Sequence, residues 1–125
     1  MTPELYYLTL TALLTAVMWL PYIANLLLNN PVKDAVGYPA HPLNMAPWAE
    51  RLKAAHYNSV ENLVVFAALV LVVHLTDTGS SATEGAAVTF FWARVIHTIS
   101  YAAAIPWVRT LSFLVAWIAM IVIGW

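Results

Sequence analysis

The sequence contains no cysteine and very little charge. Only 9% of its 125 residues are Asp, Glu, Lys or Arg, whereas 62% are hydrophobic. The lack of cysteine excludes disulfides, thiolate metal sites and a protein thiol as catalyst. In a soluble domain about a quarter of the residues are charged, so the composition predicts an integral membrane protein. The net charge of −1 also gives no reason to expect a nucleic-acid partner.

Long apolar runs predict four membrane-spanning helices. A span needs about 20 residues, which leaves no room for a soluble domain. The predicted spans cover residues 5–28, 48–75, 86–105 and 110–125. Pro21 should kink the first span one turn before Asn25. The expected fold is therefore all-α, a single four-transmembrane-helix bundle over residues 1–125.

The connections between the spans differ in composition. Residues 29–47 hold four of the seven prolines, which predicts a long non-helical loop with His41 solvated. Residues 76–85 are rich in Thr, Ser and Gly and predict a second loop. Pro106 is expected to end the third span, so that residues 107–110 form a tight reversal.

Basic residues outside the spans predict the orientation. Lys33, Arg51 and Lys53 lie in or beside the first loop and Arg109 lies in the third. The N-terminus and the second loop carry only acidic charges. Because Lys and Arg accumulate in cytoplasmic loops, both termini should lie on the non-cytoplasmic side.

The second and third spans carry polar residues at similar depths. Asn58 and Glu61 are three residues apart, and Arg94, His97 and Tyr101 follow an i, i+3, i+7 spacing. A charge at the bilayer centre costs at least ~2.5–3.5 kcal/mol. Glu61 and Arg94 should therefore lie inside the bundle and interact directly or through His97.

Two interpretations of these polar residues remain open. They form either a buried ion pair that fixes helix register, or a ligand pocket with Arg109 and Thr110 at its cytoplasmic rim. His56 and His97 lie at different depths, so neither haem nor metal binding is expected.

Three motifs give the chain a resemblance to a known family. Asn-x-x-Glu at residues 58–61 looks like the signature of MAPEG, the membrane-associated proteins in eicosanoid and glutathione metabolism. Arg-x-x-His-Thr-x-x-Tyr at residues 94–101 is similar to the microsomal prostaglandin E synthase branch. Arg-Thr at residues 109–110 matches an arginine followed by a serine in the family.

The resemblance implies a homotrimer with glutathione bound between neighbouring subunits. It implies that Arg109 is catalytic and stabilises the glutathione thiolate. The implied glutathione-binding residues are Asn58, Glu61, Arg94, His97, Tyr101 and Thr110. Glutathione-using relatives carry further arginines where this chain has Asn29, Asn30, Ala54 and Tyr57.

Two function classes follow. The first is a trimeric membrane glutathione transferase or peroxidase that acts on lipophilic small molecules dissolved in the bilayer. The alternative is a non-catalytic scaffold or small-ligand-binding protein that keeps the same fold. In either class the chain's partners are itself and the lipid bilayer, and its simple composition favours a bacterial inner membrane.

Overall fold

A computed structural model describes residues 1–38 and 42–125, so the expectation for His41 lies outside the described residues. The regular secondary structure of these two ranges is helical, which confirms the all-α prediction. The helices are α1 (Pro3–Val17), α2 (Trp19–Asn29), α3 (Val32–Val36), α4 (Pro47–Leu75), α5 (Ser81–Ala102) and α6 (Pro106–Gly124).

Three helical segments are long and apolar enough to cross a membrane. They are Pro3–Asn29, Pro47–Leu75 and Pro106–Gly124, within the part of the chain that the structure describes. The prediction of an integral membrane protein is supported by these three. Helix α5 has a larger share of buried residues than α4, and it packs against α1, α4 and α6. Arg94, His97 and Thr98 of α5 are therefore covered by its neighbours.

The first apolar segment is broken at Met18, between α1 and α2. Pro21 explains the break: it has no N–H to donate to the Val17 carbonyl, and its ring crowds that carbonyl. The interruption of the helix that Pro21 predicts therefore lies three residues earlier, at Met18. Asn25, one turn after Pro21, accepts a hydrogen bond through Oδ1 from the Ala46 amide at 2.9 Å. This bond fixes the end of α2 to the start of α4.

Two predicted loops contain more helix than expected. The first was expected to be non-helical, which is wrong, because it contains the short helix α3. The second ends at Ser80, because Ser80 and Thr83 form a capping box in which each backbone N–H donates to the other hydroxyl, at 2.8 and 3.3 Å. Helix α5 therefore begins at Ser81 rather than at residue 86. The polar residues that predicted a loop are the ones that start the helix.

The reversal between α5 and α6 lies at residues 103–105, and its prediction at 107–110 is wrong. Ala104 adopts a left-handed conformation with φ of 61°. The Ile105 amide donates to the Ser100 carbonyl at 2.9 Å and the Ala104 amide to the Tyr101 carbonyl at 3.2 Å, the Schellman pattern that ends helices. Pro106 starts α6 instead of ending α5, since a helix's first residue needs no N–H. Arg109 and Thr110 are consequently helical.

Apolar packing forms two clusters. In the larger one Phe66 and Phe90 stack with ring centroids 3.9 Å apart. The smaller one contains Met18, Tyr22 and Leu52. Along α4 and α5 the polar residues lie between these clusters, and this is the level at which the candidate site is found.

Substitutions of two glycines near the start of α5 would test the packing there. A Cβ on Gly79 would lie 2.8 Å from Oε2 of the buried Glu4, whereas a Cβ on Gly85 would meet nothing within 4 Å. Gly79→Ala should lower the free energy of unfolding by about 1 kcal/mol or less, because the clash is with the end of the Glu4 side chain, which can shift. Gly85→Ala should raise it by about 0.5–1 kcal/mol, because alanine favours a helix interior. Thermal unfolding followed by circular dichroism in detergent measures both, and shifts of the same sign would contradict this packing.

Candidate functional site

Arg94 is the most buried charged side chain of the site, with 1% of its surface exposed. Its Nη2 group donates to Asn58 Oδ1 at 2.8 Å and to Ser59 Oγ at 2.9 Å, which joins α5 to α4. Among the described residues, the buried Nη1 of Arg94 and Nδ1 of His97 have no hydrogen-bond partner. Buried polar groups are nearly always paired, so these two atoms lack the partners that such groups normally have.

Glu61 does not meet Arg94 within one chain, so the predicted intrachain pair is wrong. Ser59 is buried, whereas Glu61 is exposed. Two residues along a helix of 3.6 residues per turn is a rotation of about 200°, so a side chain two positions from the buried Ser59 must point outward. Arg94 uses the neutral oxygens of Asn58 and Ser59 instead of a carboxylate.

Aromatic contacts continue the site from His97 to Arg109. The rings of His97 and Tyr101 meet edge to face at 5.6 Å. The Arg109 guanidinium lies over the Tyr101 ring, with Cζ 4.9 Å from the centroid. We call Arg94, His97 and Tyr101 the polar stripe of α5. We call one end of the molecule the Arg109 end; it is the end where α4 begins and where α5 is followed by α6. The stripe leads from the middle of α5 to the Arg109 end.

The structure thus brings together five of the seven predicted site residues: Asn58, Arg94, His97, Tyr101 and Arg109. Thr110 is exposed on α6 and Glu61 is exposed on α4. Neither contributes to the intrachain arrangement.

Sequence reasoning missed two polar residues at this level. Ser59 binds Arg94, and its spacing from the buried Leu52, Ala55 and Phe66 could have placed it on the inward face of α4. His56 was considered only as a haem ligand, but its Nδ1 lies 2.7 Å from the hydroxyl of the buried Tyr22. That hydrogen bond joins α2 to α4 directly after the break at Met18.

The chemistry of the arrangement is that of a site for anions. Two guanidinium groups, Arg94 and Arg109, lie at the inner and outer ends of the polar stripe. Carboxylates and phosphates are the groups that arginine binds most strongly. Arg94 Nη1 is a further unpaired donor on the inner side, and His97 Nδ1 is a further unpaired polar atom.

Comparison with known proteins identifies the family. No curated protein matches this sequence. The sequence model of the MAPEG family matches residues 7–125, which include every helix from α2 to α6 and all seven predicted site residues. A match over nearly the whole length shows membership, and the chain therefore belongs to the MAPEG family of membrane proteins.

Proposed function

We propose that the protein is a membrane glutathione transferase or peroxidase of bacterial type, acting as a homotrimer on lipophilic electrophiles. The observation that carries this proposal is the polar stripe of α5, which has unpaired polar atoms inside and Arg109 at its outer end. Fixing the register of α4 against α5 needs only the hydrogen bonds from Arg94 to Asn58 and Ser59. The remaining groups exceed that structural need.

Arg109 is positioned to stabilise a thiolate. The chain has no cysteine, so glutathione supplies the thiol. A guanidinium close to sulfur favours the thiolate over the thiol, and the thiolate is the nucleophile. In conjugation the sulfur forms a bond to the electrophilic carbon, and the leaving group departs with the bonding electrons. The Tyr101 ring restricts the Arg109 guanidinium and so orients it for this role.

The proposed membrane arrangement has four crossings, with α5 as the fourth. Its 22 residues are long enough, at about 1.5 Å per residue, to cross the ~30 Å hydrocarbon core. Lys33, Arg51, Lys53 and Arg109 then lie on the cytoplasmic side, and both termini lie on the other side. We assign the chain to a bacterial inner membrane on the simplicity of its composition.

A non-catalytic scaffold or ligand-binding role is the second candidate, and the two asparagines at the end of α2 favour it. Relatives that use glutathione carry an arginine in this region, but Asn29 and Asn30 are engaged locally here. Asn29 Nδ2 donates to the Asn25 carbonyl at 2.8 Å. Asn30 exchanges two hydrogen bonds with the Asn44 backbone, at 2.6 and 2.9 Å. These side chains hold the connection to α4 in place.

Calorimetric titration with glutathione separates the two candidates. We expect the detergent-solubilised protein to bind glutathione saturably, with Kd below about 1 mM, because two guanidiniums meet an anionic tripeptide. The analogue with serine in place of cysteine should bind more weakly, since it has no thiolate for Arg109. Absence of glutathione binding would contradict the enzyme and leave the scaffold role.

A further inference from the structure

Arg51 of α4 reaches the end of α5. Its Nε donates to the Ala102 carbonyl at 3.0 Å. Ala102 is the last residue of α5, and the final carbonyls of a helix have no partner within it. A cation at this position also complements the negative end of the helix dipole. This bond uses only Nε and leaves the two Nη groups of Arg51 to other partners.

Arg51 and Arg109 line one small cleft at the Arg109 end. The cleft has a volume of about 180 Å³, and its other walls are Tyr101 and the α5–α6 turn, residues 104–106. Both arginines are half-buried. No acidic side chain is among the residues that line the cleft, and the nearby Glu50 lines a different cavity beside Tyr22.

Two guanidiniums without a counter-charge in one cleft attract an anion. Half-burial weakens the screening by water, which strengthens the attraction. The small volume admits a single planar or tetrahedral anionic group rather than a whole tripeptide. Arginine binds carboxylates through two parallel hydrogen bonds, and both Nη groups of Arg51 remain for that purpose.

We propose that the Arg51–Arg109 cleft binds a carboxylate of the thiol ligand, with Arg51 as the residue that holds it. This inference rests on the proposed function, since the carboxylate belongs to glutathione. Arg51 therefore has two tasks: Nε caps α5 and the Nη groups bind the ligand. Arg109 is shared between the carboxylate cleft and the thiolate.

The test compares glutathione with its diethyl ester, in which both carboxylates are neutralised. Calorimetry gives the ratio of the two dissociation constants for the wild type, Arg51→Gln and Lys53→Gln. Gln keeps a donor for the Ala102 carbonyl but removes the charge, so the helix cap is retained. Lys53 is a basic residue on the same helix that lines the cavity with Glu50, and it serves as the matched control.

We expect the wild type and Lys53→Gln to prefer glutathione over the diester by about 10-fold or more, and Arg51→Gln by about 3-fold or less. An unchanged preference in Arg51→Gln, or no preference in the wild type, would overturn this inference and leave the proposed function intact. Failure of the wild type to bind either compound would overturn both. If Arg51→Gln does not fold, Arg51→Lys decides: the loss of the planar fork must lower the preference below that of the wild type.

Discussion

Replacement of Arg109 by alanine should lower glutathione-conjugating turnover about 100-fold, the usual effect of removing one group that stabilises developing or bound negative charge. Arg109 contacts Tyr101 through a half-buried cation–π interaction, which contributes only about 0.5–1 kcal/mol to stability. The variant should therefore fold and assemble as the wild type does. Conjugation of glutathione to chlorodinitrobenzene, measured beside the yield of assembled protein, checks both expectations.

Arg109→Lys distinguishes catalysis from membrane topology. A residue that only marks the cytoplasmic side needs a positive charge, so lysine would be harmless. A residue that binds the thiolate while stacked on Tyr101 needs the planar guanidinium. The Arg109→Lys variant should therefore assemble normally and lose turnover. Lys33→Ala removes an exposed basic residue elsewhere and should not change turnover. If Arg109→Lys and Arg109→Ala both retained wild-type turnover, Arg109 would be a topology residue only.

Replacement of Glu61 by leucine should convert the proposed trimer into smaller species. Glu61 lies at the midpoint of α4, with 14 residues of the helix on either side, and it faces outward. The same face exposes Tyr57, Val64 and Leu71, which with Glu61 follow one another at spacings of four, three and seven residues. An ionised glutamate facing lipid at this depth is costly, and burial against another subunit removes the exposure. Loss of the carboxylate should therefore weaken the association of the subunits.

Native mass spectrometry from detergent measures this change as the fraction of three-copy complexes. Glu50→Leu is the matched control, because Glu50 is an exposed acid in the first turn of the same helix and lies outside the proposed membrane core. The control should remain trimeric. A wild type that is mainly monomer or dimer, or a Glu61→Leu variant as trimeric as the wild type, would show that this face is covered by something else.

The sequence predicted the apolar helices well, because hydropathy and length alone decide whether a segment can cross a membrane. It was least accurate where one residue type has opposite meanings. Ser80 and Thr83 are typical of loops, yet together they start a helix. Pro106 was interpreted as the end of α5, but it occupies the first position of α6, where proline is also favoured.

The sequence predicted the candidate site only in part, because spacing within one helix does not show which residues of two helices face each other. The spacing of Arg94, His97 and Tyr101 on one helix sufficed to place them together. The partner of Arg94 could not be obtained from spacing, because Asn58 and Glu61 are equally plausible neighbours until the rotation of α4 is known. The buried Ser59 fixes that rotation, and it directs Asn58 inward and Glu61 outward.

The turn between α5 and α6 limits where residues can be inserted into or deleted from this chain. Only residues 103–105 separate the two helices, and two backbone hydrogen bonds fix their conformation. One additional residue there would rotate α6 by about 100° and carry Arg109 away from the Tyr101 ring. The described residues of the connection, 30–38 and 42–46, include no predicted site residue, so insertions and deletions are tolerated there far more easily. The spacing between Tyr101 and Arg109 is thus part of the site, as much as the side chains themselves.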